Sequence, residues 1–138
     1  MREIKFRVFI KWTKLILEVH SIDFVRERVY CKNEIEKPNP CDFYNFDEVE
    51  LMQSTGLLDK NNDEIYRGNI IKDSSGRLMI VEWDNRIGTA RYIFRVINTI
   101  GHIKAGRFVN THEWITSDEN DIEIIGNIFE NPELLQGN

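Results

Sequence analysis

Residues 70–96 read IIKDSSGRLMIVEWDNRIGTARYIFRV, and this run sets the architecture. Ile70-Ile71-Lys72 leads into Asp73-Ser74-Ser75-Gly76, a turn whose glycine supplies the positive φ that a tight hairpin needs. Met79-Ile80-Val81-Glu82-Trp83 reads as a strand and Asp84-Asn85-Arg86-Ile87-Gly88 as the next turn. Ala90, Tyr92, Phe94 and Val96 then alternate with Arg91, Ile93 and Arg95, the period of a pleated strand. Short strands with turn signals this close together point to a small barrel or sandwich rather than to βαβ units.

The same period of two extends to both ends. Ile4, Phe6, Val8 and Ile10 alternate with Glu3, Lys5 and Arg7, and Leu15, Leu17 and Val19 repeat the pattern after a polar turn at Lys11–Lys14. Ile22 and Phe24, then Val29 and Cys31, read as a further hairpin around Arg26-Glu27. These residues predict an N-terminal β meander over 1–45. Pro38-Asn39-Pro40 breaks regular structure, because each proline lacks a donor and restricts the residue before it. The second part is expected over 46–138. Asp47-Glu48-Val49-Glu50 has a loose capping-box spacing, but Val49, Leu51 and Gln53 alternate, which favours a strand. Ile122, Ile124 and Ile125 predict a last strand, and Asn131-Pro132-Glu133-Leu134-Leu135 one helical turn with proline near its start. The fold class is therefore mainly β with little helix.

At 138 residues and 16.4 kDa, the chain is long enough to bury a core without staples. No apolar run approaches the ~18 residues of a membrane span, and Met1-Arg2-Glu3 opens no secretory signal. Cys31 and Cys41 are expected as free thiols in a reducing cytoplasm. A soluble cytoplasmic protein with no membrane partner is the expectation.

The net charge of −5 argues against bulk binding to phosphate backbones. Its distribution is uneven. Residues 1–32 carry eight Lys/Arg against four Asp/Glu, while residues 117–138 carry none against six. Residues 33–69 are also acidic, three against nine, and residues 70–116 basic, seven against four. The sharpest basic patch is Arg86, Arg91, Arg95, Lys104 and Arg107, a candidate anion or nucleic-acid surface over 86–107. Tyr92 and Phe94 are expected in the core and the arginines outside, whereas stacking on a single strand wants both on one face.

Patterns that carry chemistry are not found. Asp59-Lys60-Asn61-Asn62-Asp63-Glu64 resembles the start of a calcium loop, but Glu64 stands where glycine is required and Ile70 where the bidentate acid belongs. A turn explains it better, with Asn62 left-handed and Asp59 bonding nearby amides. Cys31 and Cys41 have no neighbouring histidine, and His20, His102 and His112 are isolated. No dinucleotide fingerprint, P-loop or nucleophile elbow occurs. No catalytic residue, no metal and no cofactor is expected, and the chain is not read as an enzyme.

Leu51-Met52-Gln53-Ser54-Thr55-Gly56-Leu57-Leu58-Asp59-Lys60-Asn61, followed by Glu64-Ile65-Tyr66-Arg67-Gly68-Asn69-Ile70-Ile71, resembles the central signature of the YopX-like family of phage and prophage proteins. Arg2-Glu3-Ile4-Lys5-Phe6-Arg7 and Ser21-Ile22-Asp23-Phe24 are similar to that family's start, and residues 121–134 to its C-terminal signature. Asn69 stands where the family usually has Asp, and Asn62 where Gly is common. Residues 85–115 carry no family pattern. The resemblance implies an SH3-like small barrel for the C-terminal part and the cytoplasm of a bacterial host as the setting. It carries over no activity and no functional residues.

The reading that follows is a phage- or prophage-encoded, non-enzymatic interaction or assembly module that self-associates, with a protein partner as a further expectation. Its motives are the opposed charge blocks and apolar residues on the second faces of strands, Phe9 and Ile16. The alternative is nucleic-acid binding through the basic patch.

Overall fold

A computed structural model describes residues 4–32, 41–85, 91–98, 105–106, 108–110 and 122–135. The chain divides into two compact units, Met1–Ser54 and Thr55–Asn138. The fold is mainly β. Helix among the described residues is confined to two short 3-10 turns, Phe46–Glu48 and Pro132–Leu135, and none is long and apolar enough to cross a membrane.

Unit 1 is built from β1 (Phe6–Ile10), β2 (Ile16–Asp23), β3 (Arg28–Lys32), β4 (Cys41–Asn45) and the first part of β5 (Val49–Leu58). Strands β1 to β4 are sequential antiparallel neighbours, and β5 pairs on the other side of β1, giving the order β4-β3-β2-β1-β5. The two units meet at Ser54/Thr55. The physical reason is the β1–β5 ladder, which runs from Ile10↔Val49 to Phe6↔Gln53 and ties residues 49–53 to the N-terminal sheet.

Val8 and Ile10 of β1 point into a core with Val29, Cys31 and Val49, flanked by Leu17, Val19, Ile22, Tyr44 and Leu51. Leu17 and Val19 obey the alternation, but Ile22 lies an odd number of residues beyond them. A β-bulge resolves this: Val19 faces Cys31 and Ser21 faces Tyr30, so His20 is the extra residue. One inserted residue flips the alternation, and Ile22 rejoins the core side. The expected two short strands are therefore one eight-residue strand. The β2–β3 turn closes at Glu27, whose φ is 54°, with Asp23 Oδ1 accepting from the N–H groups of Val25 and Arg26. Before β5, the Glu48 carboxylate accepts from Asn45 N–H at 2.8 Å, so the short turn at Phe46–Glu48 and the strand both exist.

Unit 2 continues β5 beside β6 (Glu64–Tyr66) and adds a five-stranded antiparallel sheet. Its strands are β7 (Asn69–Lys72), β8 (Leu78–Trp83), β9 (Tyr92–Val96), β10 (Phe108–Asn110) and β11 (Glu123–Asn127), in the order β10-β9-β8-β7-β11. Ile65, Ile71, Met79, Val81, Tyr92, Phe94 and Val96 form one core with Val109 and Ile122. On the opposite face Ile70, Ile80 and Ile97 pack with Leu78, Ile128 and Leu134. Both faces are covered, which is why Leu78-Met79-Ile80-Val81 is a continuous apolar run rather than an alternating one.

Polar side chains fix the turns of unit 2. Asp59, 3% exposed, accepts from Asn61 and Asp63 N–H at 2.9 Å through Oδ1 and from Ile124 N–H at 3.1 Å through Oδ2. Asn62 is left-handed with φ 65°, as expected of a turn. Asp73 caps the β7–β8 hairpin, taking hydrogen bonds from Ser75 and Arg77, with Gly76 at φ 87°. Asn69 Oδ1 accepts from Tyr66 N–H across the β6–β7 turn. Gly68 there has φ 88°, and a Cβ on it would sit 3.2 Å from the Phe129 ring.

Candidate interaction surfaces

The basic patch is only partly described. Arg86, Lys104 and Arg107 lie outside the described residues, as do His102 and His112. Arg95 on β9 donates from Nε and Nη2 to Glu82 Oε1 on β8, at 2.9 and 2.7 Å. These hydrogen bonds, and Glu82's charge, raise the guanidinium's pKa further. Arg91 Nε lies 3.6 Å from Asp84 Oδ2, a carboxylate almost wholly buried. Each described arginine of the patch thus faces an acid, Arg95 one on β8 and Arg91 one just beyond its end, and a phosphate would have to compete with a carboxylate already in place. Tyr92 and Phe94 are in the core and both arginines are partly exposed, the division expected from alternation.

The buried carboxylates are structural. Burial pushes the Asp73 carboxyl up, but hydrogen bonds from Ser75 and Arg77, with Arg77's charge, outweigh it and hold the group below its ordinary value. Hydrogen bonds from the Arg26 backbone and side chain, and from Val25, do the same for Asp23. His20 sits exposed at the β2 bulge, and Cys31 is fully buried in the unit 1 core. Among the described residues no three His, Cys, Asp or Glu side chains gather as a metal site would need.

Phe9 is 6% exposed and Ile16 half-buried, so neither forms an open second face. Unit 1 instead exposes a different apolar surface. Phe24 is 76% and Val25 93% exposed at the β2–β3 turn. Phe24 meets Phe46 edge-on, ring centroids 6.2 Å apart. Together with Ile22, Val29, Val49 and Leu51 these two rings line an apolar dimple of about 230 Å³. Nearby, the Arg28 guanidinium lies 4.3 Å from the Phe43 ring centre. Sequence reasoning missed this surface, although two consecutive apolar residues in a turn were the available signal.

Unit 2 carries a mixed cavity of about 520 Å³ between the β6–β7 turn and β8, walled by Arg67, Ile80, Glu82, Trp83, Asn85 and Ile128. Trp83 is 42% exposed and packs edge-on against Tyr92, with centroids 4.9 Å apart.

These features define a two-unit, mainly β protein in which the buried Asp59 and Asp73 serve turns and an apolar dimple lies beside the β2–β3 hairpin of unit 1. The family model described as YopX protein matches residues 5–136, and the chain belongs to that family. Among solved structures it is similar to the crystal structure of protein EF1440 from Enterococcus faecalis, with 22% identity and a TM-score of 0.60. That likeness spans 99% of this chain and 100% of the other, and it concerns the fold. No curated protein matches the chain.

Proposed function

We propose that this protein is a non-enzymatic interaction or assembly module of phage or prophage setting, acting in the host cytoplasm, and that it self-associates through the hairpin tip of unit 1. The observation that carries the reading is the apolar dimple lined by Phe24 and Phe46, with the exposed Val25 next to Phe24 in the chain. Fully burying one such side chain is worth about 1.5–3 kcal/mol, so a covered tip is strongly favoured over a wet one. A second copy is the occupant that fits, because a twofold contact places the same apolar patch on both sides. The opposed charge of residues 1–32 and 117–138 adds long-range attraction between copies. The strand order of residues 69–127, with the last strand beside the first of a four-strand meander, supports reading the second part as an SH3-like barrel.

Size-exclusion chromatography with light scattering tests the reading. The wild-type chain should run as an oligomer at micromolar concentration, and Phe24→Asp as a monomer of unchanged fold. A strict wild-type monomer in both low and high salt would defeat it.

A further inference from the structure

We propose that the outer face of the β3–β4 ladder in unit 1 binds single-stranded nucleic acid, stacking bases on Tyr30 and Phe43 while Arg28 and Lys32 hold phosphates. Alternation sets this face. Val29 and Cys31 of β3 point into the unit 1 core, so Arg28, Tyr30 and Lys32 lie together on the other side of the sheet. β4 pairs with β3 in unbroken register, Arg28↔Asn45, Tyr30↔Phe43 and Lys32↔Cys41, and cross-strand partners share a face. Phe43 therefore stands beside Tyr30, with ring centroids 6.0 Å apart and planes inclined at 50°. On the same ring the Arg28 guanidinium lies 4.3 Å from the centre. Phe43 is nevertheless 48% exposed, and the Lys32 side chain stands in water.

The cations of this face are open to an anion. Asp23, opposite Arg28 in the β2–β3 register, is held by Arg26 at 3.0 Å, and among the described residues no carboxylate forms an ion pair with Arg28. Lys32 Nζ sits 4.0 Å from Glu18 Oε2, with both side chains more than half exposed. A pair of that kind is worth little in water and yields to a phosphate. Arg91 and Arg95 differ on both counts, since each faces an acid and the aromatic rings of β9 are turned into the core. Four residues of strand put about 13 Å between the Arg28 and Lys32 backbones, with Tyr30 midway. Cation, ring and cation then meet phosphate, base and phosphate of an extended strand. Every base has a flat π-face, which rings and guanidinium planes bind by stacking, whereas an acidic peptide offers carboxylates alone. A duplex keeps its bases inside, so the single strand is the form recognised. The dimple lies on the opposite side of β3, where Val29 lines it, so base stacking and self-association use separate surfaces.

The test is fluorescence anisotropy of end-labelled oligothymidylate and oligouridylate, each about 12 nucleotides long, titrated with the whole chain. Both should bind, and the oligothymidylate annealed to oligoadenylate should bind roughly tenfold more weakly. Phe43→Leu keeps the apolar bulk of this exposed residue but removes its π-face, and should weaken binding about tenfold. Two phosphate contacts make log affinity fall with log salt at a slope of about 1.4, and Lys32→Gln should lower that slope by about 0.7. Arg95→Gln and Phe24→Ser should bind as the wild type does. No binding of either oligonucleotide at about 50 mM salt, equal binding of the duplex or of an oligoglutamate, or undiminished binding by Phe43→Leu would overturn the site. A loss in Arg95→Gln or in Phe24→Ser would do the same, by moving the contact to another surface.

Discussion

The two units solve the problem of covering a small sheet in opposite ways. Unit 2 packs apolar side chains on both faces of β7–β9 and spends two buried acids, Asp59 and Asp73, on turns. Unit 1 buries one cluster around Val8 and Ile10 and leaves Phe24 and Val25 in water at a hairpin tip. Stability is therefore expected to be concentrated in unit 2, and the proposed self-association in unit 1.

Substitutions can break that contrast, and the largest effect is expected at Phe94, whose side chain is wholly buried in the unit 2 core. Phe94→Ala should cost about 3–5 kcal/mol, read by urea unfolding, whereas Phe24→Ser at the unit 1 tip should stay within about 0.5 kcal/mol. Next comes Asp59→Ala, which strands three amides that one carboxylate now satisfies. A loss of about 3 kcal/mol is expected, and a change below the error of the unfolding curve would refute the capping role. Gly68→Ala forces a side chain into the left-handed region against the Phe129 ring and should cost about 1–2 kcal/mol.

The smallest effect is a pH dependence. The Asp73 carboxyl titrates below its ordinary value in the folded chain, so it stabilises the fold above the unfolded pKa of about 4. That contribution disappears as pH falls through the lower, folded value. Asp73→Asn should flatten this part of the acid-unfolding curve, and an unchanged acid limb would show that the hairpin does not depend on the charge.

Much of the fold was legible because it rests on local rules. Gly76 and Asp73 announce the β7–β8 hairpin, Asn62 and Asp59 their turn, and Pro132 the last short helix. The β2 strand was read as two because a bulge at His20 shifts the alternation, and no residue type marks a bulge. The return of β5 to β1 across the whole meander is a pairing of distant residues that local pattern does not encode. The surfaces were harder still. Phe9 looked like an open second face and is buried, whereas Phe24 looked like the end of an alternating strand and is exposed. Arg91 and Arg95 read as a basic patch because their acids, Asp84 just past β8 and Glu82 on it, meet them only once β8 and β9 have paired.

The self-association claim is tested most directly by an isotope-filtered NOE experiment on an equimolar mixture of ¹³C-labelled and unlabelled chains. Cross-peaks between the Val25 methyls of one copy and the Phe24 or Phe46 ring protons of the other are predicted. Their absence at millimolar concentration, with tumbling that fits a single 16.4 kDa chain, would contradict it.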